Sequence, residues 1–498
     1  MDFSYESIVA NCLRKITSFD RVVEFKVPLA DGNNISRVLA VSSTGKTVTV
    51  SAGDNQVHYD GRVNFKLVYV NHEGEIMALD YFADFSERVS GEVRSGTLLQ
   101  GELNVLETDI STSNELKLTS VVEVTIYGAE RVEGECITAA PEECECERKK
   151  ITITTLADSK VYDFEVTDEE QCHTDVEKVL MTDCDVIVTE LKAGDGVAFA
   201  GGDFVATITY LAEGEIRSAS YNVPFSEEIP MSGVSFASLL SASATVKNVR
   251  VVLAGEEGDN ILRIEALVSV KINAFEKTER EVIDDVFMLT NEMVLERGNI
   301  EYIAFEQTLF FRDKFIQSAM LAENRSAVRE IVAVTNAQNN IASATPYEDS
   351  IRIEGVVGAT IIYKDENGLN SVKAELPYSL SFKADIDPSS YLKVSGVVES
   401  ISARVKRDRE IEVTTKLIFK VEVLRKVSQN VLKKAEVGEA KEINTSVISV
   451  YIATDGDTIW DVSKAVSATP RSILEQNPSV TGNALSDGDR IIYFRKLG

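Results

Sequence analysis

The chain has 498 residues, with 80 acidic against 51 basic side chains, a formal net charge of −29, 44% hydrophobic residues and 26% charged residues. That length exceeds a single hydrophobic core and predicts three to four domains, and the apolar content excludes a disordered chain. The acidic excess argues against general affinity for nucleic acid or anionic lipid, which depends on Lys and Arg, and favours solubility or a basic partner.

The first twenty residues, MDFSYESIVANCLRKITSFD, lack a basic region followed by an apolar run, and no stretch of 18 apolar residues occurs. A cytosolic protein without a transmembrane segment is therefore expected. Six cysteines are too few for a disulfide scaffold in a chain this long and fit a reducing compartment.

Three segments then align without gaps: Gly61 to Tyr69, Gly202 to Tyr210 and Gly355 to Tyr363. In each, every second residue is apolar, as a strand with one buried face requires: Val63, Phe65, Leu67 and Tyr69; Phe204, Ala206, Ile208 and Tyr210; Val357, Ala359, Ile361 and Tyr363. A polar turn ending at Gly74, Gly214 or Gly368 follows, and then a second strand ending near Phe85, Phe225 or Tyr378, which is hairpin punctuation. Related strands lie upstream (from Ser36, Glu177 and Arg329) and downstream (from Val121, Leu267 and Ile418). The period is roughly 140–150 residues, longer than any solenoid repeat, so each copy is expected to be a domain with its own core. The predicted architecture is mainly β: three tandem antiparallel, sandwich-like domains at 15–135, 150–277 and 283–428.

Between the first two copies, Cys144 and Cys146 sit in a charge-rich stretch that reads as a linker. With Cys172 and His173 downstream they lack the usual C-x-x-C spacing, and no metal or cofactor is predicted. Residues 401–436 reverse the prevailing charge, with ten basic and five acidic side chains. They read as a docking face or as a strand edge protected by Lys and Arg. Residues 429–447 are polar, lack strand alternation and read as a linker.

The C-terminal segment 448–496 reads as a βααβ module. A short strand at Tyr451 to Ala453 stops at Gly456-Asp457, and Thr458-x-x-Asp461 has the form of a capping box opening a helix with Ile459, Val462 and Val466 on one face. Thr469-Pro470 starts a second helix with Ile473 and Leu474 on its buried side, Asn477-Pro478 ends it, and Gly488-Asp489 turns into the strand Arg490 to Phe494.

Gly456-Asp457-Thr458-Ile459-Trp460, Thr469-Pro470, Asn477-Pro478 and Leu485 followed by Gly488 and Ile491 together resemble a LysM domain from end to end. The resemblance implies binding of N-acetylglucosamine-containing glycan in a shallow groove lined by Gly456, Asp457, Thr458 and Ile459 on one side and Asn477, Pro478, Ser479 and Val480 on the other. The residues alone leave another reading open, in which Asp457 and Thr458 only cap a helix and Trp460 only fills a core. The three copies resemble the SPOCS domain of endospore-forming bacteria, with Val282 to Glu296 similar to that domain's opening strand. The combination resembles a family of spore morphogenesis proteins whose LysM docks on the basement-layer morphogenetic ATPase of the spore coat.

Only His58, His72 and His173 occur, none beside a recognisable nucleophile, and neither a P-loop nor an H-E-x-x-H motif is present. The reading is a non-enzymatic adaptor of the endospore envelope, held at the forespore surface in the mother-cell cytoplasm, with no catalytic residues. Its rivals are a peptidoglycan- or cortex-binding wall protein and a wall hydrolase with an unrecognised site.

Overall fold

The computed structural model describes residues 2–32, 34–111, 115–172, 174–254, 260–441, 448–480 and 482–494. The chain is mainly β. The first unit comprises β1 (Ser4–Lys26), a single helical turn α1 (Leu29–Gly32), β2 (Ile35–Gly53), β3 (Gln56–Asn71), β4 (Ile76–Ser90), β5 (Leu99–Ser111) and β6 (Lys117–Ala139). The second comprises β7 (Cys144–Gln171), β8 (Val176–Ala193), β9 (Val197–Ala212), β10 (Glu215–Pro230), β11 (Leu239–Ala254) and β12 (Ile261–Met288). The third comprises β13 (Asn291–Met320), β14 (Glu330–Tyr347), β15 (Ser350–Asp365), β16 (Gly368–Lys383), β17 (Tyr391–Arg407) and β18 (Glu410–Ala440).

One strand order recurs in all three units. The second, third and fourth strands form an antiparallel meander centred on β3, β9 or β15, and the last strand pairs with both the first and the fifth, as in β1-β6-β5. The three aligned segments are these central strands, and all twelve alternating apolar side chains are buried. The leading glycine of each segment lies directly across from an aromatic residue, in the pairs Gly61–Phe85, Gly202–Phe225 and Gly355–Tyr378. A Cβ on Gly61 would stand 2.5 Å from Phe85 Cζ, and one on Gly202 would strike the Ile187 carbonyl oxygen as well as Phe225. The ring lies over the bare backbone, which accounts for both residue types at this register. The hairpin after β9 turns on Glu213 and Gly214, both with positive φ, the geometry that suits a two-residue hairpin loop.

The strands run past the expected domain limits. Val282 to Met288 closes β12 instead of opening the third unit, which begins at Asn291. The charge-rich stretch from Cys144 is strand, paired with the end of β12, because its alternate residues pack inward: Cys144 and Cys146 lie against Val286 and Ile283. The predicted linker 429–447 is strand as far as Ala440, where Val431, Leu432 and Ala435 are buried against neighbouring units. Residues 442–447 and His173 lie outside the described residues.

Each unit has its own core, yet the units also share cores. Leu39 and Ala40, Leu180 and Met181, and Ala333, all from the related upstream strands, converge in one cluster. A second cluster joins Ile8, Ala10 and Cys12 of β1 to Ile151 and Ile153 of β7 and to Ile300 and Tyr302 of β13. Independent domain cores are thus only part of the architecture. Hydrogen bonds lace the same junction: Asp183 Oδ2 accepts from Thr335 Oγ1 (2.6 Å) and the Asn336 amide (2.7 Å), and Asn336 Nδ2 donates to the Val41 carbonyl (3.1 Å).

A buried ion pair, Lys420 with Glu422 at 3.0 Å, adds a second polar tie. Ser241 Oγ donates to Glu422 (2.7 Å), Lys420 donates to the Ala242 carbonyl, and Lys393 donates to Glu102 (2.6 Å). Burial opposes ionisation of Glu422, but the adjacent Lys420 and Lys393 hold its carboxyl below the usual range. Part of the basic excess in 401–436 is met from outside the segment, by Arg425–Glu306 and Lys426–Glu301, while Arg404 and Lys406 pair with the segment's own Glu412 and Glu410.

Candidate functional site

The C-terminal segment folds as β19 (Ile448–Ile452), α2 (Ile459–Val466), α3 (Pro470–Gln476) and β20 (Arg490–Phe494), with β19 antiparallel to β20. Thr458 caps α2: its Oγ1 accepts from the Asp461 amide (3.2 Å) while Asp461 Oδ2 accepts from the Thr458 amide (2.9 Å), satisfying two N-terminal donors reciprocally. Ser467 ends the helix in the left-handed conformation, φ 50°. Thr469 caps α3 by accepting from the Ser472 amide, with Pro470 at the first helical position, where a missing N–H costs nothing. Ala453, Ile459, Val462, Ala468, Ile473, Leu485 and Ile491 form the core, while Leu474, expected inside, is exposed.

The eight candidate groove residues fall into three kinds. Ile459 is only 2% exposed and belongs to the core, so it offers no exposed apolar anchor. Asn477 is also internal: its amide donates to the carbonyls of Ile473 (2.8 Å) and Ile492 (2.7 Å), and its Oδ1 accepts from the Ile492 amide (2.9 Å), clasping α3 to β20. Asp457 and Thr458 are half-buried and engaged locally. Asp457 Oδ2 accepts from the Thr454 amide (2.8 Å), the Thr454 hydroxyl and the Tyr451 hydroxyl, and these bonds, the Thr454 amide first, hold its carboxyl below the usual range. Gly456, Pro478 and Ser479 are exposed, and Val480 packs on the core edge. Gly456 has φ 92°, which favours glycine. The first loop is tied to the chain before β20, with the Ile459 amide on the Asn483 carbonyl (2.9 Å) and the Leu485 amide on the Asp457 carbonyl (2.8 Å).

Trp460 faces outward from this core and docks the module onto β12. Its Nε1 donates to Asp285 Oδ2 at 2.8 Å, and its ring meets Phe287 edge-on at 4.8 Å between centroids. Lys464, one turn along α2, donates to the same Asp285 oxygen at 2.6 Å. Lys441 donates to the Met288 carbonyl (3.0 Å) and reaches the Ser467 hydroxyl (3.4 Å). The surroundings are charged. Asp284 is held below the usual carboxylate range because Lys149 and Arg297 outweigh the effect of burial. Glu147, directly across from Asp285, is raised by burial and by the carboxylates of Asp284, Asp285 and Asp461. Trp460 was visible in the sequence, but its partners Asp285 and Phe287 were not, since nothing in a strand's local pattern announces what packs on its outer face.

Among the described residues no helix is long and apolar enough to cross a membrane. No curated protein and no solved structure matches the chain. Residues 175–254, running from the start of β8 through β11 in the second unit, match the family described as SipL, SPOCS domain.

Proposed function

We propose that this chain is a non-enzymatic assembly adaptor of the bacterial endospore envelope. On this reading three SPOCS-like units form the scaffold, and a LysM-like C-terminal module captures a coat morphogenetic protein at the forespore surface. The observation that carries it is the match of residues 175–254 to the SipL, SPOCS domain family, within one of three units that share one strand order. The LysM assignment rests on the Gly456-to-Trp460, Thr469-Pro470 and Asn477-Pro478 motifs, which occupy the loops and caps of a βααβ segment. A protein ligand is favoured over glycan because Ile459 and Asn477, two of the eight residues that resemblance gives to the glycan groove, are consumed by the module's own packing.

Capture from sporulating-cell extract tests this, using the full chain beside a version ending at Lys441. The adaptor reading expects a coat protein retained only by the full chain. Equal retention by both versions contradicts a role for the C-terminal module.

A further inference from the structure

The docked module turns one apolar face to solvent. Residues paired directly across a two-stranded sheet share a face, and Ile448 pairs with Phe494, Val450 with Ile492 and Ile452 with Arg490. The alternate residues Tyr451, Ile491 and Tyr493 pack on the helices. Among the described residues, Ile448, Val450, Ile452, Ile492 and Phe494 of the outer face are 57, 55, 64, 39 and 49% exposed. Single exposed apolar residues are ordinary, but a contiguous set of this size marks an interaction surface.

We infer that this face is a self-association surface, and that its occupant is the same face of a second copy of the chain. Three features favour a copy. Two such faces packed together would bury on the order of 1,000 Å², at the threshold for a specific, reversible dimer. The six outward positions hold no carboxylate, so in a chain of net charge −29 two copies can approach here without opposing acids on the contact. The face is also self-complementary about a two-fold axis. Arg490 lies at one end and Phe494 with Ile448 at the other, so antiparallel apposition sets each guanidinium over the partner's aromatic ring, a favourable cation–π arrangement. Trp460 anchors the module on its helical side through Asp285, leaving the sheet free for this contact.

The test is sedimentation equilibrium of the full chain over roughly 1–100 µM. A reversible monomer–dimer equilibrium is expected, with Val450→Lys raising the dissociation constant at least tenfold and Arg490→Glu raising it by a smaller factor. Ile452→Lys, at the most exposed of these positions, supplies a second variant should Val450→Lys disturb the sheet, and unchanged Trp460 emission verifies folding. A monomer throughout the range overturns the inference, as does a dimer that survives both lysine variants with native Trp460 emission. A monomeric chain that still captures a coat protein overturns it too while leaving the adaptor reading intact.

Discussion

Trp460 Nε1 and Asp285 Oδ2 stand 2.8 Å apart across 175 residues of sequence, and this contact joins the C-terminal module to the second unit. Lys464 completes it by neutralising the carboxylate that the indole alone would leave charged in a buried site. Asp285→Ala should therefore release the module, weakening docking by about 1–3 kcal/mol through loss of the indole's acceptor and of the Lys464 pair. The chain has a single Trp, so the emission of Trp460 reads the result without labelling. A red shift and greater quencher access are expected, with far-UV circular dichroism unchanged.

A second prediction concerns the glycine–aromatic pairs. Gly202→Ala places a methyl against the Ile187 carbonyl and the Phe225 ring, and backbone cannot move aside cheaply. A loss of about 1–3 kcal/mol is expected in denaturant unfolding. Gly358→Ala is the control, because a Cβ there meets nothing within 4 Å, and it should stay within about 0.5 kcal/mol of the parent.

In the module, Asn477→Ala should cost about 2–3 kcal/mol, since it leaves the Ile492 carbonyl and amide without their side-chain partner, while the Ile473 carbonyl keeps the backbone amide of residue 477. Ser479→Ala, at an exposed loop position, should leave stability unchanged, so any loss of ligand capture by that variant reports binding alone. Thermal unfolding of both variants followed by Trp460 emission checks the contrast.

Glu147 gives a pH dependence. Its carboxyl is raised above the unfolded value by burial and by three neighbouring acids, so its contribution favours the folded state fully below the unfolded value and is lost as pH rises through the folded one. Glu147→Gln should therefore make the protein more stable than the parent at pH 7, with the difference vanishing below about pH 4. Asp284 has the opposite sign. Its depressed carboxyl supports the fold above the unfolded value and withdraws that support as pH falls through the folded one, so Asp284→Asn should destabilise most at neutral pH.

Where side-chain alternation and turn chemistry are local, the sequence was informative. The twelve alternating residues of the three central strands are buried, the Thr458 and Thr469 caps form, and hairpins turn at Gly74, Gly214 and Gly368. What local patterns do not carry is what lies beyond the element. Residues 429–440 look polar because only Val431, Leu432 and Ala435 face inward, and the surface that buries them comes from residues far away in the chain. The same applies to Cys144 and Cys146, half-buried in a strand whose equally half-buried Glu145 and Glu147 hide the alternation. Ile459 illustrates the limit of motif transfer, because position in a motif does not reveal which way a side chain points, and here it points into the core.

The measurement closest to the central claim is a calorimetric titration of the full chain with two ligands in parallel, the purified basement-layer coat ATPase and an N-acetylglucosamine oligomer. The adaptor account predicts saturable binding of the ATPase, abolished when the chain ends at Lys441, and no heat from the oligomer. Saturable binding of the oligomer with none of the ATPase would contradict it and establish a wall-binding protein instead.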